Sequence, residues 1–440
     1  MSLGKPNIRA SVDRYNNENN LDYEILLLWD SRVRDTGGMT VDSGADHVVV
    51  CDFSDKTKIV QALEPYRDRL LAITCRSEKD LSRFAQIIPH VPYLRTPTAE
   101  SLHWAADKFE MRKRFRAYDN SITPKFAQIR KNSKAERARI TDKVGFPMVV
   151  KPANLSGSLF VNICYHEEEL EQVLRTGFRK VRNAYQKDNR QEEPRIIAEE
   201  YMEGDMYSID SYVNSRGGVT HCPLVKTTTG REVGHPDPFC NPLQLTPTAF
   251  KATTVANAEA VAKKAIHALG LRSVLAHTEL MKIDDEWKVI EIGARAGGFR
   301  HTLHSLSCDI DHAMNDILVR IPKKPVVPKK CKGFACAMKW YPKKEGKITE
   351  MKGIKKIEEL KSFHSITINK RIGDKALFAK NGGRSVFNLF MYNADRSKLL
   401  ADIRRVEQMV EVKVAGRATA AKTKIEQVGT PTKKTVKKNK

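Results

Sequence analysis

The run H-T-E-L-M-K-I-D-D-E-W-K-V-I-E-I-G-A-R-A-G-G, residues 277–298, constrains the fold more than any other stretch of the chain. Leu280 to Ile283 and Trp287 to Ile292 are rich in apolar and β-branched residues, and Asp284, Asp285 and Glu286 supply turn chemistry between them. A three-residue loop there sets Glu279 directly opposite Glu291, with Met281 facing Val289 and Ile283 facing Trp287. Two carboxylates then end an otherwise apolar row. Like charges at a cross-strand distance of roughly 5 Å destabilise a sheet, and a buried carboxylate persists only when something pairs with it. A hard divalent cation with oxygen ligands resolves that conflict. Arg295, followed by Gly297 and Gly298, adds a bidentate anion-binding fork at the same sheet end. The plain alternative is a solvated hairpin with two surface glutamates, but the flanking residues are too apolar for a free edge.

The chain of 440 residues carries a net charge of +23. The last 24 residues hold eight Lys or Arg against one Glu, about +7, so the body keeps about +16. Such a body suits an acidic substrate, an anionic surface or nucleic acid. No helix-turn-helix, zinc-finger or RNP-type sequence accompanies the charge, so nucleic-acid binding has no motif behind it. No run approaches the ~18 apolar residues of a membrane span, and the first twenty residues lack a secretory pattern. Eight cysteines without a CxxC pair read as reduced thiols of a cytoplasmic protein.

Along the chain, residues 1–21 read as a polar, mobile arm. Residues 22–118 suggest a parallel α/β domain, with strands Tyr23 to Trp29, His47 to Cys51 and Leu70 to Thr74 and a helix from about Ala99 to Arg116 carrying Lys108 and Arg112. A second domain spans 119–320, with a hinge near 200–204. It opens with Gly145-Phe146-Pro147, the strand Met148 to Lys151 and a small-residue loop at 154–158, and contains a long Thr/Gly/Pro-rich loop at 226–247. An excursion at 179–194, an α+β module at 321–415 and a basic disordered tail at 416–440 complete the division. Neither G-x-G-x-x-G after the first strand nor G-x-x-x-x-G-K-[ST] occurs.

Single signals here are weak, because a strand-end lysine such as Lys151 is usually solvated. Their order is informative. D-K at 107, F-P-x-V-x-K-P at 146, a Ser/Gly loop, E-E-Y-M-x-G, then H-T-E with E-I-G-A-R-A-G-G resembles the ATP-grasp superfamily over about 100–320. Within it the chain looks most like the carboxylate-amine ligases that join amino acids or small peptides.

The resemblance implies an α/β and α+β ATP-grasp fold and an ADP-forming ligase using ATP and Mg²⁺, or Mn²⁺ in its place. It implies that Lys108 and Lys151 contact the phosphates under the loop that includes Ser156, Gly157 and Ser158. It further implies that Glu199, Glu200, Tyr201 and Met202 line the adenine, that Glu279 and Glu291 hold the metal, and that Arg295 contacts the transferred phosphoryl or acyl-phosphate group. Small-molecule carboxylate and amine substrates follow. Two departures stand out. Many relatives have an acid holding the ribose where this chain has Gly204-Asp205-Met206, so Asp205 is the candidate substitute. The metal-binding Asn of E-I-N-x-R is Gly293 here, with water the candidate for that coordination position. The alternative class is an ATP-binding regulator or a nucleic-acid-associated protein with little ligase activity. ADP release on an amino-acid mixture favours the ligase, and tight, salt-sensitive binding to random RNA favours the alternative.

Overall fold

The computed structural model describes residues 8–33, 44–155, 157–187 and 193–416. The first of these form a helix, Ile8–Asn19, rather than a mobile arm. Its Ser11 hydroxyl donates to Asp311 at 3.0 Å and Arg14 pairs with the same carboxylate. A polar helix of this kind gains its stability from what it docks on, which composition alone does not show. The N-terminal strands are fewer than expected. Leu26–Asp30 and His47–Cys51 pair in parallel, while 70–74 forms no strand.

The expected helix from Ala99 to Arg116 is two helices, Ala99–Ala106 and Lys108–Tyr118. Asp107 separates them. Its backbone is extended and its carboxylate accepts from Phe109 N and Glu110 N, so it caps the second helix while also accepting from Arg195 at 2.6 Å. The break leaves Lys108 at the first helical position with its N–H free to reach Ala153 O at 2.8 Å, and this ties the helix start to the small-residue loop.

Two antiparallel sheets build the centre. The smaller has the order Phe126–Ile129, Ile196–Glu200, Met148–Pro152, Asn162–Cys164. The helices Lys134–Val144 and Glu167–Lys187 pack on it through Ile140, Val144, Leu170, Leu174 and Val181. The second of these helices absorbs the start of the stretch expected as an exposed excursion. The larger sheet begins at the edge strand Glu286–Gly293. It continues through Val274–Ile283, Asp205–Val213, Val225–Thr228, Leu243–Thr246, Phe334–Trp340 and Phe387–Asn393 to Phe363–Ile368. Leu243–Thr246 lies inside the stretch 226–247 that the sequence suggests is a loop, and Val225–Thr228 overlaps its start. Three of the sheet's strands belong to the 321–415 region, so the C-terminal region is continuous with the central sheet. The helix Ala252–Ala268 covers the hairpin through Ala258, Ala262 and Ala265, all fully buried. The last strand, Glu411–Gly416, extends one residue into the expected tail; residues 417–440 lie outside the described residues.

The chain crosses between the sheets at 201–204. Gly204 is required there by space, because a Cβ would sit 2.2 Å from the Lys282 carbonyl oxygen. Gly204→Ala is therefore expected to destabilise by about 1–3 kcal/mol through a forced backbone shift, read as a lower melting temperature. An unchanged melting temperature would mean that the crossing has slack.

Candidate functional site

The hairpin places Glu279 opposite Glu291, but by a different route from the expected one. The turn is Asp284-Asp285, with Asp284 in the left-handed region at φ 50°, a conformation that Asp tolerates. Ile283 therefore pairs with Glu286, Lys282 with Trp287, Met281 with Lys288 and Leu280 with Val289. A bulge at Ile290 then restores Glu279 to Glu291. Two one-residue differences cancel from the carboxylates onward, so that Thr278 faces Ile292 and His277 faces Gly293 as well. The bulge sits on an edge strand, and two successive carbonyls there, Val289 O and Ile290 O, accept from Arg112 Nη1 and Nη2 at 2.6 Å each.

Arg112 is one helical turn beyond Lys108, on the same face. It is fully buried, and its fork also holds Glu199, with Nε to Oε1 at 2.8 Å and Nη2 to Oε2 at 3.0 Å. Lys151 Nζ reaches the same carboxylate at 2.7 Å. The Glu199 carboxylate thus faces inward to two cations. In a strand, adjacent side chains take opposite faces, so only one member of Glu199-Glu200 is turned inward. Burial pushes the Glu199 carboxyl up, and Arg112 and Lys151 outweigh it, bringing it down to about 2. For Lys151, burial prevails over Glu199 and its ammonium is held below the usual lysine range.

Lys108 Nζ lies 3.1 Å from Glu291 and donates to Leu155 O at 3.0 Å. Burial alone would raise the Glu291 carboxyl, but Lys108 and Lys151 bring it to about 2. Glu279 lies 3.5 Å from His277 Nε2, whose Nδ1 is 3.3 Å from Asp210. Asp210 is fully buried and also accepts from Gly297 N at 2.8 Å, which fastens the glycine loop behind the hairpin. Burial disfavours the imidazolium, and Asp210 raises the His277 pKa regardless.

Arg295 meets Glu78 from the N-terminal region, Nε to Oε2 at 2.7 Å. The side-chain-free Gly293 leaves room for that carboxylate, since a Cβ would lie 3.2 Å from Glu78 Oε2. In the small-residue loop and just beyond it, Ser158 Oγ donates to Phe239 O at 3.4 Å, and Phe160 N donates to Lys380 O of the C-terminal region at 3.3 Å. Ser156 lies outside the described residues. Glu200 accepts from Lys125 N at 3.2 Å. Tyr201 carries the Arg231 guanidinium 5.3 Å above its ring, beside a cavity of about 300 Å³ lined in part by Ile163, Tyr165 and Arg231. Met202 is half-buried, and Asp205 lies 3.5 Å from Lys226.

Sequence reasoning missed Glu78, Asp210 and Lys339 at this site. The first two are isolated acids whose partners lie far away in sequence. Lys339 Nζ lies 4.9 Å from the Phe299 ring; burial, then Arg300, push it down to about 8, with Glu279 opposing. The cysteines also differ from expectation. Cys308 and Cys331 form a disulfide, and the other six are free. Lys332 N donates to Ser307 O at 2.8 Å, so the chain returns to the helix end, a proximity that spacing does not reveal.

This combination of a small antiparallel sheet, a crossing segment and a larger sheet ending in paired carboxylates agrees with the family comparison. A family model described as an ATP-grasp domain matches residues 144–303. The chain has an ATP-grasp fold. The L-amino acid ligase of Bacillus licheniformis superposes with a TM-score of 0.72 at 18% identity, covering 93% of this chain and 96% of that one. Phosphoribosylglycinamide synthetase of Anaerococcus prevotii gives 0.61 at 17%, covering 94% and 97%. N5-carboxyaminoimidazole ribonucleotide synthetase of Thermotoga maritima gives 0.63 at 15%, covering 94% and 98%. No curated protein matches the chain. Among the described residues of this ATP-grasp chain, no helix is long and apolar enough to cross a membrane.

Proposed function

We propose that the chain is an ATP-dependent carboxylate-amine ligase. The observation that carries this reading is the convergence of Glu279 and Glu291, opposite each other in register, with Lys108, Lys151 and Arg295. Two carboxylates form a hard-oxygen donor set that fits Mg²⁺, and Mn²⁺ equally. When bound, the cation supplies charge neutralisation at the phosphates of ATP. A substrate carboxylate oxygen attacks the γ-phosphorus, the bond to ADP breaks, and an acyl phosphate forms. An amine nitrogen then attacks the acyl carbon, phosphate leaves, and the amine gives up a proton. Lys108 and Lys151 hold the phosphates by exchanging part of their present contact with Glu291 and Glu199. Arg295 binds the transferred group, and Tyr201 and Met202 border the base. Positioning and electrostatics perform the work, with no covalent nucleophile on the protein.

An ADP-release screen against amino acids, small carboxylic acids and their pairs tests this reading. Substrate-dependent ADP formation supports it. Nucleotide binding without turnover on any pair opposes it.

Arg295→Lys separates a chemical role from a structural one. Lysine keeps the charge but loses the planar fork, so ATP affinity should hold while turnover falls by roughly 10²-fold. A lower melting temperature with turnover per folded molecule preserved would make the Arg295–Glu78 pair purely structural.

A further inference from the structure

Behind the site, three side chains from separate elements meet in the interior. Cys222 follows the strand Val219–His221, His304 lies in the helix Arg300–Cys308, and His312 opens the helix His312–Leu318. Their sulfur and one ring nitrogen of each histidine all lie within 4.8 Å of one another. All three residues are at most 2% exposed. The two rings face each other, His304 Nδ1 to His312 Nε2 at 2.8 Å. Their outward nitrogens meet oxygens, His304 Nε2 to Pro223 O at 3.1 Å and His312 Nδ1 to the Tyr212 hydroxyl at 2.7 Å.

We propose that Cys222, His304 and His312 bind a borderline-soft divalent metal ion of the zinc class, at a site that shares no ligand with the Glu279–Glu291 pair. The chemistry of the three donors selects the metal, since one thiolate and two imidazoles suit Zn²⁺ and not Mg²⁺. The outward contacts are the second observation. A ligating histidine typically donates its other N–H to a carbonyl or similar acceptor, which fixes its tautomer and orientation, and both rings here have such an acceptor.

The proton balance is simple. Without metal, Pro223 O can only accept, so His304 carries its proton on Nε2 and its Nδ1 accepts from His312 Nε2–H. Binding moves the His312 proton to Nδ1, where it is donated to the Tyr212 oxygen, and releases the Cys222 thiol proton. Both rings stay neutral and the site gains a net charge of one, with Asp210 close enough to act on both rings. The ion would clip a strand end to two helices, beside the Cys308–Cys331 bridge in the same apolar cluster.

The test uses the full chain. Metal content is measured as purified and after refolding with Zn²⁺ in excess Mg²⁺, and the spectrum is recorded after refolding with Co²⁺. The expected result is about one Zn²⁺ per chain retained through gel filtration with chelator, and a thiolate-to-Co²⁺ charge-transfer band in the near ultraviolet that Cys222→Ala removes. The double variant Glu279→Gln/Glu291→Gln should keep both signals. Absence of retained metal and of the band in the wild-type chain overturns the site, as does a band that survives in folded Cys222→Ala. If Cys222→Ala does not fold, the wild-type measurements decide alone.

Discussion

Glu291→Gln is expected to lower Mg²⁺-dependent ADP formation by roughly 10²–10³-fold, because it removes half the charge of a cation site without changing its shape. Glu291 is also the partner of Lys108 at 3.1 Å. Its carboxyl stays ionised down to about pH 2 because Lys108 and Lys151 outweigh burial, so a cation arriving at neutral pH meets a carboxylate. In the variant, Lys108 keeps Leu155 O and loses its anion, and ATP affinity should become nearly independent of Mg²⁺. Titrating nucleotide with and without Mg²⁺ and timing ADP release on the same preparation gives both numbers. Near-native turnover, or an unchanged Mg²⁺ effect on affinity, would remove Glu291 from the metal hypothesis. Glu279→Gln should move in the same direction, since its neighbour His277 at 3.5 Å is held by Asp210 and does not replace the charge.

The hairpin shows how far sequence reasoning reaches. Apolar alternation and turn residues put Glu279 against Glu291, but the pairing holds only because a shorter turn and a bulge offset each other, and the pairs between them differ. Asp284 can take the left-handed conformation, so the turn needs two residues and Glu286 joins the strand. The bulge that compensates depends on Arg112, whose fork accommodates two successive carbonyls from a helix about 180 residues away. Local pattern carries no trace of such a partner. Lys108 and Lys151 stood out only through the order of motifs in the family resemblance, since a strand-end lysine is usually solvated and Lys108 read as the middle of one long helix, whereas Glu78 did not stand out at all, because it reaches Arg295 only through the packing of the N-terminal region. The strands within 226–247 were hidden for a related reason. Short segments such as Val225–Thr228 and Leu243–Thr246 become strands because both neighbours pair with them, and Thr, Gly and Pro content masks that.

Glu199→Ala should destabilise the fold by about 3–5 kcal/mol, the cost typical of breaking a buried ion pair from one side. The substitution leaves the Arg112 guanidinium and the Lys151 ammonium facing each other in the interior. Lysine can shed its proton to relieve that conflict, and arginine cannot. Arg112 keeps Val289 O and Ile290 O, so part of its hydrogen bonding survives and the loss is chiefly electrostatic. Glu199→Gln should lose less, because the amide oxygen still accepts one hydrogen bond in the same shape. Two measurements divide the outcomes. If Glu199 serves the interior, the melting temperature falls steeply, and any loss of ATP affinity per folded molecule follows the Lys151 proton and diminishes as the pH is lowered. If its carboxylate instead served the adenine, affinity would fall while the melting temperature held, and the inward placement of Glu199 would not describe the working protein.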